Sequence, residues 1–130
     1  MLQGIVPILR IFDEDKAKEF YVDYLEFVVD WEHRFEEGMP LYMQISLDSI
    51  VLHLSEHHGD CTPGAALRIE TDDLDVMCSR LNQKKYKHSR PGITGTPWGM
   101  REMTVTDPFC NRIIYYESPS GQTEDLAREG

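Results

Sequence analysis

The sequence predicts an α+β fold built from two βαβββ modules, and three observations carry that prediction. Leu9-Arg10-Ile11-Phe12-Asp13 opens an amphipathic helix, and 58 residues later Leu67-Arg68-Ile69-Glu70-Thr71-Asp72 opens another. Behind the first, Ala17, Phe20, Tyr21, Tyr24 and Leu25 recur at helical spacing; behind the second, Leu74, Met77, Cys78 and Leu81 do the same. Each helix is followed by extended, strand-like sequence. One such module is too small to bury a good core by itself. The chain is therefore expected to pack as one domain over residues 1–130, with halves at about 5–55 and 65–117. A binding cleft would lie between the two half-sheets.

The elements follow in order. A first strand is expected over residues 5–11, with Pro7 inside it and Asp13 as the cap of a helix running to about Leu25. Asp13, Glu14 and Asp15 stand at its start, where the helix dipole favours acids. Residues 26–35 read as extended, and Gly38-Met39-Pro40 as a turn. Leu41, Met43, Ile45 and Leu47 alternate with Tyr42, Gln44 and Ser46, a strand with one buried face. After Asp48-Ser49, residues 50–54 return as its hairpin partner, with Ile50, Leu52 and Leu54 in the core and Val51, His53 and Ser55 opposite. A polar loop over residues 55–64 separates the halves. The second half predicts a strand at 65–70, a helix at about 72–84, a strand near 86–90 and a loop from Pro91 to Gly99. Strands at 100–106 and 111–117 close it, with Met103, Val105, Ile113 and Tyr115 inward. Met100, Glu102, Thr104, Arg112, Ile114 and Tyr116 face the cleft. From Ser118 the tail turns polar and is expected to fray.

Charge narrows the partners. Lys and Arg total 13 against 23 Asp and Glu, a net charge of −10, and ten of the acids fall between Asp13 and Glu37. Nucleic acid and anionic membranes are poor partners for such a surface. It would attract a cationic ligand, or it serves solubility alone. Hydrophobic residues, 41% of the chain, are too evenly spread for a membrane span, and no signal segment points to export. Cys61, Cys78 and Cys110 cannot all pair with one another and lack metal-knuckle spacing. Cys78 lies on the apolar stripe of its helix and reads as core. The expected location is cytoplasmic.

Pro97-Trp98-Gly99-Met100-Arg101-Glu102-Met103, followed by Asp107-Pro108-Phe109-Cys110-Asn111-Arg112, resembles the bleomycin-resistance branch of the glyoxalase/bleomycin resistance/dioxygenase (vicinal oxygen chelate) superfamily. Val6-Pro7-Ile8-Leu9-Arg10, Phe20-Tyr21 with Leu25-Glu26-Phe27, and His53-Leu54-Ser55 extend the resemblance over residues 5–117. It implies two βαβββ modules, in agreement with the internal repeat, and a homodimer in which a strand or module is exchanged. One departure is Cys110, where the family's turn usually carries glycine, so that turn must form without the residue that best tolerates positive φ.

The superfamily's enzymes hold a divalent metal at four cleft positions, and the resemblance puts these at Val6, His53, Gly64 or Ala66, and Ile114. Only His53 carries a donor, whereas stable sites need three or four. No metal and no other cofactor is therefore expected. The bleomycin-resistance branch binds a cationic, part-aromatic glycopeptide without breaking a bond. On that resemblance Asp30, Trp31 and Phe35 after the first helix, Ser55 at the end of the fourth strand, and Trp98 and Gly99 in the second half bind the ligand, and strand parity adds Tyr42, His53 and Glu102 from the cleft face. Trp31 reads either as a ligand contact or as a core aromatic. Trp98, between Pro97 and Gly99, reads as a ligand or interface residue. In the expected dimer Trp98 of one protomer approaches Trp31, Phe35 or Tyr42 of the other.

Two alternatives stay open. One is a metal-dependent enzyme of the glyoxalase or dioxygenase kind, with an atypical site drawn from His53, His57, His58, Glu102 and Glu117. The other is a binding protein for an unrelated small metabolite.

Overall fold

A computed structural model describes residues 1–118. The expected fraying of the tail falls almost wholly on residues 119–130, outside the described residues. The chain divides into two units, Met1–Ala65 with Asp107–Asn111, and Ala66–Thr106 with the residues from Arg112 onward.

The first unit runs β1 (Ile8–Arg10), α1 (Glu14–Lys18), a π-helical segment (Glu19–Tyr24), β2 (Val28–His33), β3 (Tyr42–Leu47) and β4 (Ile50–Ser55). Its sheet has the order β1-β4-β3-β2, with β1 parallel to β4 and the other pairs antiparallel. The second runs β5 (Ala66–Glu70), α2 (Leu74–Gln83), β6 (Ile93–Gly95), β7 (Arg101–Thr106) and β8 (Arg112–Glu117). Its sheet has the order β5-β8-β7-β6, with β5 parallel to β8. The two orders are the same permutation, so the fold is two βαβββ modules, as the repeat predicts.

Asp13 caps α1, its carboxylate accepting from the Lys16 amide at 2.9 Å. Beyond Lys18 the helix widens, and the Leu25 amide reaches five residues back to the Phe20 carbonyl at 2.9 Å. Phe20, Tyr21 and Tyr24 are all buried, with Phe20 and Tyr21 rings edge-on at 5.0 Å. Glu26 at φ +73° ends the segment, and the Phe27 amide closes back on Tyr21.

The strand alternation holds at the middle of each hairpin. Leu41, Met43, Ile45, Leu52 and Leu54 are buried in the first unit, and Met103, Val105, Ile113 and Tyr115 in the second. Several expectations need correction. Leu47 and Ile50 flank the Asp48 turn at the end of the hairpin and are only half-buried. Leu67 is half-buried although its counterpart Leu9 is buried, and Cys78 is half-buried rather than core. Pro7 lies just before β1, and its carbonyl accepts the His53 amide at 2.9 Å.

Residues 86–90 are a turn, not a strand. Lys85 at φ +53° ends α2, the Ser89 amide turns back to Tyr86, and Pro91 has no amide to give a ladder. The edge strand forms instead at Ile93–Gly95, inside the expected loop, where β-branched Ile93 and Thr94 pair with Met103 and Glu102.

Asp107 is the hub of a buried turn in the first unit. Its carboxylate accepts from the Phe109 and Asn111 amides at 2.8 Å each, from Asn111 Nδ2 at 2.8 Å and from the Tyr21 hydroxyl at 2.6 Å. Asn111 Nδ2 also donates to the Arg10 carbonyl at 2.8 Å, and Asn111 Oδ1 accepts the Ala65 amide. Cys110 completes the turn at φ +73°, as its place in the motif requires.

Candidate functional site

Strand parity turns one face of the first sheet away from its core, and chemistry collects there. Tyr42, Gln44 and Ser46 project from β3 and His53 from β4. In a regular strand Asp30 and Trp31 would point to opposite faces. The register shifts between Val29 and Trp31, so Trp31 pairs with Gln44 while Asp30 is the extra, bulged residue. Both side chains therefore reach the same face.

Four of the expected site residues meet on it. Trp31 lies parallel to Tyr42, ring centres 6.0 Å apart at 14°, and edge-on to His53 at 5.3 Å. The Tyr42 hydroxyl is 2.7 Å from His53 Nδ1, and His53 Nε2 is 3.0 Å from Gln44 Oε1. Gln44 Nε2 donates to one Asp30 carboxylate oxygen at 3.0 Å, and the Ser46 hydroxyl donates to the other at 3.0 Å. Trp31 keeps 43% exposure, so an aromatic surface is open beside an ordered polar row. It is not a core aromatic.

Other expected residues lie elsewhere. Phe35 stands beyond the end of β2, 75% exposed, edge-on to His33 at 5.1 Å. Ser55 is buried; its hydroxyl donates to Asp60 at 2.6 Å and accepts the His57 amide at 3.0 Å, so its capacity is spent on the loop that follows β4. In the second unit Trp98 and Gly99 form the turn before β7. Trp98 is 67% exposed, Gly99 has φ +86°, and the Gly99 amide donates to Thr96. Glu102 pairs with Arg68 at 2.7 Å, and the Arg68 guanidinium sits 4.5 Å over the Tyr116 ring.

Gln44 and Ser46 belong with the site, and strand parity alone puts them on the right face; what parity lacks is the bulge that lets Asp30 and Trp31 share it. Asp60 and Cys61 add to the field at Tyr42. Burial first, then the charge of Asp60 and, once it ionises at high pH, that of Cys61, push the Tyr42 phenol above its usual range. Burial and Asp60 likewise raise the Cys61 thiol, against an opposing pull from Arg10. Both therefore keep their protons at neutral pH. Tyr42 is a hydrogen-bond donor rather than a phenolate, and Cys61 is no thiolate nucleophile.

The donor set does not fit a metal. At the positions the resemblance assigns, Val6, Gly64, Ala66 and Ile114 offer no side-chain donor, and both ring nitrogens of His53 are engaged. Among the described residues no three His, Cys, Asp or Glu side chains are grouped to hold an ion. No helix of the described residues is long and apolar enough to cross a membrane.

The fold recurs in solved structures. A bleomycin-binding protein complexed with bleomycin is 18% identical, with a TM-score of 0.67 over 91% of this chain and 100% of that one. A glyoxalase family protein from Enterococcus faecalis is 15% identical, with a TM-score of 0.67 over 90% and 97%. A glyoxalase/bleomycin resistance protein from a Streptomyces species is 24% identical, with a TM-score of 0.61 over 85% and 96%. At such identities the likeness is one of fold. No curated protein matches the chain. The profile of a family described as glyoxalase superfamily protein matches residues 1–122, nearly all of the sequence, and the chain belongs to the glyoxalase superfamily.

Proposed function

We propose that this protein is a non-catalytic binding protein that sequesters a cationic, part-aromatic small molecule of the bleomycin type. The observation that carries the reading is the open Trp31–Tyr42–His53 cluster beside Asp30, on a face whose imidazole is already committed to hydrogen bonds. A flat heteroaromatic ring laid on Trp31 would gain about 0.5–2 kcal/mol from stacking or cation–π contact. The net charge of −10 draws a cation toward it. The bleomycin complex among the structures of like fold makes that drug the natural first ligand.

The protein works as a homodimer with an exchanged amino-terminal strand or module. Trp98 of one protomer approaches Trp31, Phe35 or Tyr42 of its partner, and Phe35, Gly99 and Glu102 line the remainder of the site, while Ser55 braces the loop behind it. The three cysteines are free thiols, in keeping with a cytoplasmic location.

Titration with bleomycin while following tryptophan fluorescence tests the reading. Saturable quenching at micromolar ligand is expected. An unchanged signal at tens of micromolar would count decisively against it, as would stoichiometric nickel, zinc, iron or manganese in protein purified without chelators.

A further inference from the structure

The polar row on the first sheet has a direction that its chemistry dictates. Asp30 is exposed, its carboxylate is an acceptor only, and the Gln44 side chain must therefore present its NH2 to it. That leaves Gln44 Oε1, also an acceptor only, facing His53 Nε2 at 3.0 Å, so Nε2 must carry a proton. In the neutral imidazole the other nitrogen, Nδ1, is then bare and accepts from the Tyr42 hydroxyl at 2.7 Å. Every proton in the row points the same way, from Tyr42 through His53 and Gln44 to Asp30. Ser46 fills the last carboxylate oxygen.

We infer that Asp30 and Gln44 are positioning residues that set the polarity of Tyr42, so that its phenolic oxygen meets a ligand as an acceptor and the site selects a ring bearing an N–H donor. Asp30 does this through the row, one oxygen accepting from Gln44 and the other from Ser46. The Trp31 and Tyr42 rings are parallel with centres 6.0 Å apart, and in the inferred arrangement a flat ligand on Trp31 donates from its edge to the Tyr42 oxygen. This rests on the reading of the face as a ligand site, and it narrows the ligand from any planar cation to one with an N–H in the ring plane.

The test uses the full-length protein and two neutral bicyclic probes, indole (an N–H donor) and quinoline (an acceptor only). Long-range nitrogen–proton NMR at pH 8 should show neutral His53 protonated at Nε2. Shifts of the Trp31 resonances should show indole binding about fivefold more tightly than quinoline, the worth of one net hydrogen bond. Gln44→Lys offers only donors to both Asp30 and His53. It should move the imidazole proton to Nδ1, turn the Tyr42 hydroxyl outward and reverse the order of the probes. Gln44→Leu cuts the row and should erase the preference without reversing it.

A wild-type His53 protonated at Nδ1, or quinoline binding as well as indole, overturns the inference without any variant having to fold. A folded Gln44→Lys protein with an unchanged tautomer overturns it too. Bleomycin failing to bind while the tautomer and the probe order hold would remove the sequestration reading and leave this one standing.

Discussion

Cys110→Gly should stabilise the protein. Cys110 sits at φ +73° in the turn between β7 and β8 with its side chain exposed, so glycine forfeits little buried surface there. A residue with a Cβ held in this left-handed region costs about 1–2 kcal/mol, and glycine removes that cost. Glycine also has more freedom to lose on folding, which returns about 0.4–1 kcal/mol. The balance is a gain of about 0.5–1 kcal/mol, or roughly 2–5 °C in Tm for a chain of this length. The turn itself should not change, because Asp107 already accepts the amides of Phe109 and Asn111 on either side of position 110. Urea unfolding followed by far-UV circular dichroism reads the difference as a higher midpoint at constant slope. Cys110→Ala keeps the Cβ and therefore the strain, and should lie within about 0.5 kcal/mol of the parent. Equal midpoints for the glycine and alanine variants would refute the reasoning, since only φ distinguishes them.

Tyr21→Phe removes the hydroxyl that donates to buried Asp107 at 2.6 Å, and should cost about 1–2 kcal/mol by the same unfolding assay. Lys18 bonds the Glu14 carboxylate at 2.6 Å and, with Arg34, holds its pKa below the usual carboxylate value. A depressed folded pKa means that this stability is present above the unfolded value and is lost as pH falls through the lowered one. Lys18→Met should therefore narrow the difference in midpoint between pH 6 and pH 3, and an unchanged difference would exclude the pairing. Trp98→Ala, at a side chain 67% exposed, should change stability by less than about 0.5 kcal/mol yet weaken bleomycin binding at least fivefold. Light scattering should give the mass of a dimer, and a monomer at working concentration would leave Trp98 without the partner surface proposed for it.

The sequence is most legible where physics is local. Asp13 caps its helix because a short acceptor before an apolar period has little else to do. The alternation of β3 with β4, and of β7 with β8, places their central core residues correctly because period-two burial leaves only one choice of face. The positive φ at Cys110 follows from the turn motif. Where several parts of the chain compete, the signal fades. Apolar positions spaced for an α-helix over two turns also suit a wider one, so the π-helical segment at Glu19–Tyr24 is invisible in the pattern. Tyr86-Lys87-His88-Ser89-Arg90 carries no β-branched residue and precedes a proline, and it became a turn while three residues of the expected loop became the edge strand. Ser55 has the parity of a face residue, yet the loop after β4 folds Asp60 onto its hydroxyl. No single-strand pattern could have announced that.

The bulge in β2 links the fold to the proposed chemistry most directly. Asp30 and Trp31 are adjacent, and an unbroken strand would give the site face one of them and the core side of the sheet the other. If the aromatic alone reached the face, a ring would still stack, but Gln44 would lose the carboxylate that fixes its amide. If the acid alone reached it, the polar row would survive without a surface for a ligand to cover. One extra residue between Val29 and Trp31 delivers both. Its cost falls on an edge strand, where an interrupted ladder removes no bond to a further neighbour. Deleting Val29 would restore a regular register, keeping Trp31 opposite Gln44 and turning Asp30 to the Ile45 side, out of the row. Such a variant should keep its indole stacking and lose its preference for indole over quinoline. The two properties would then separate through one backbone change that touches neither side chain.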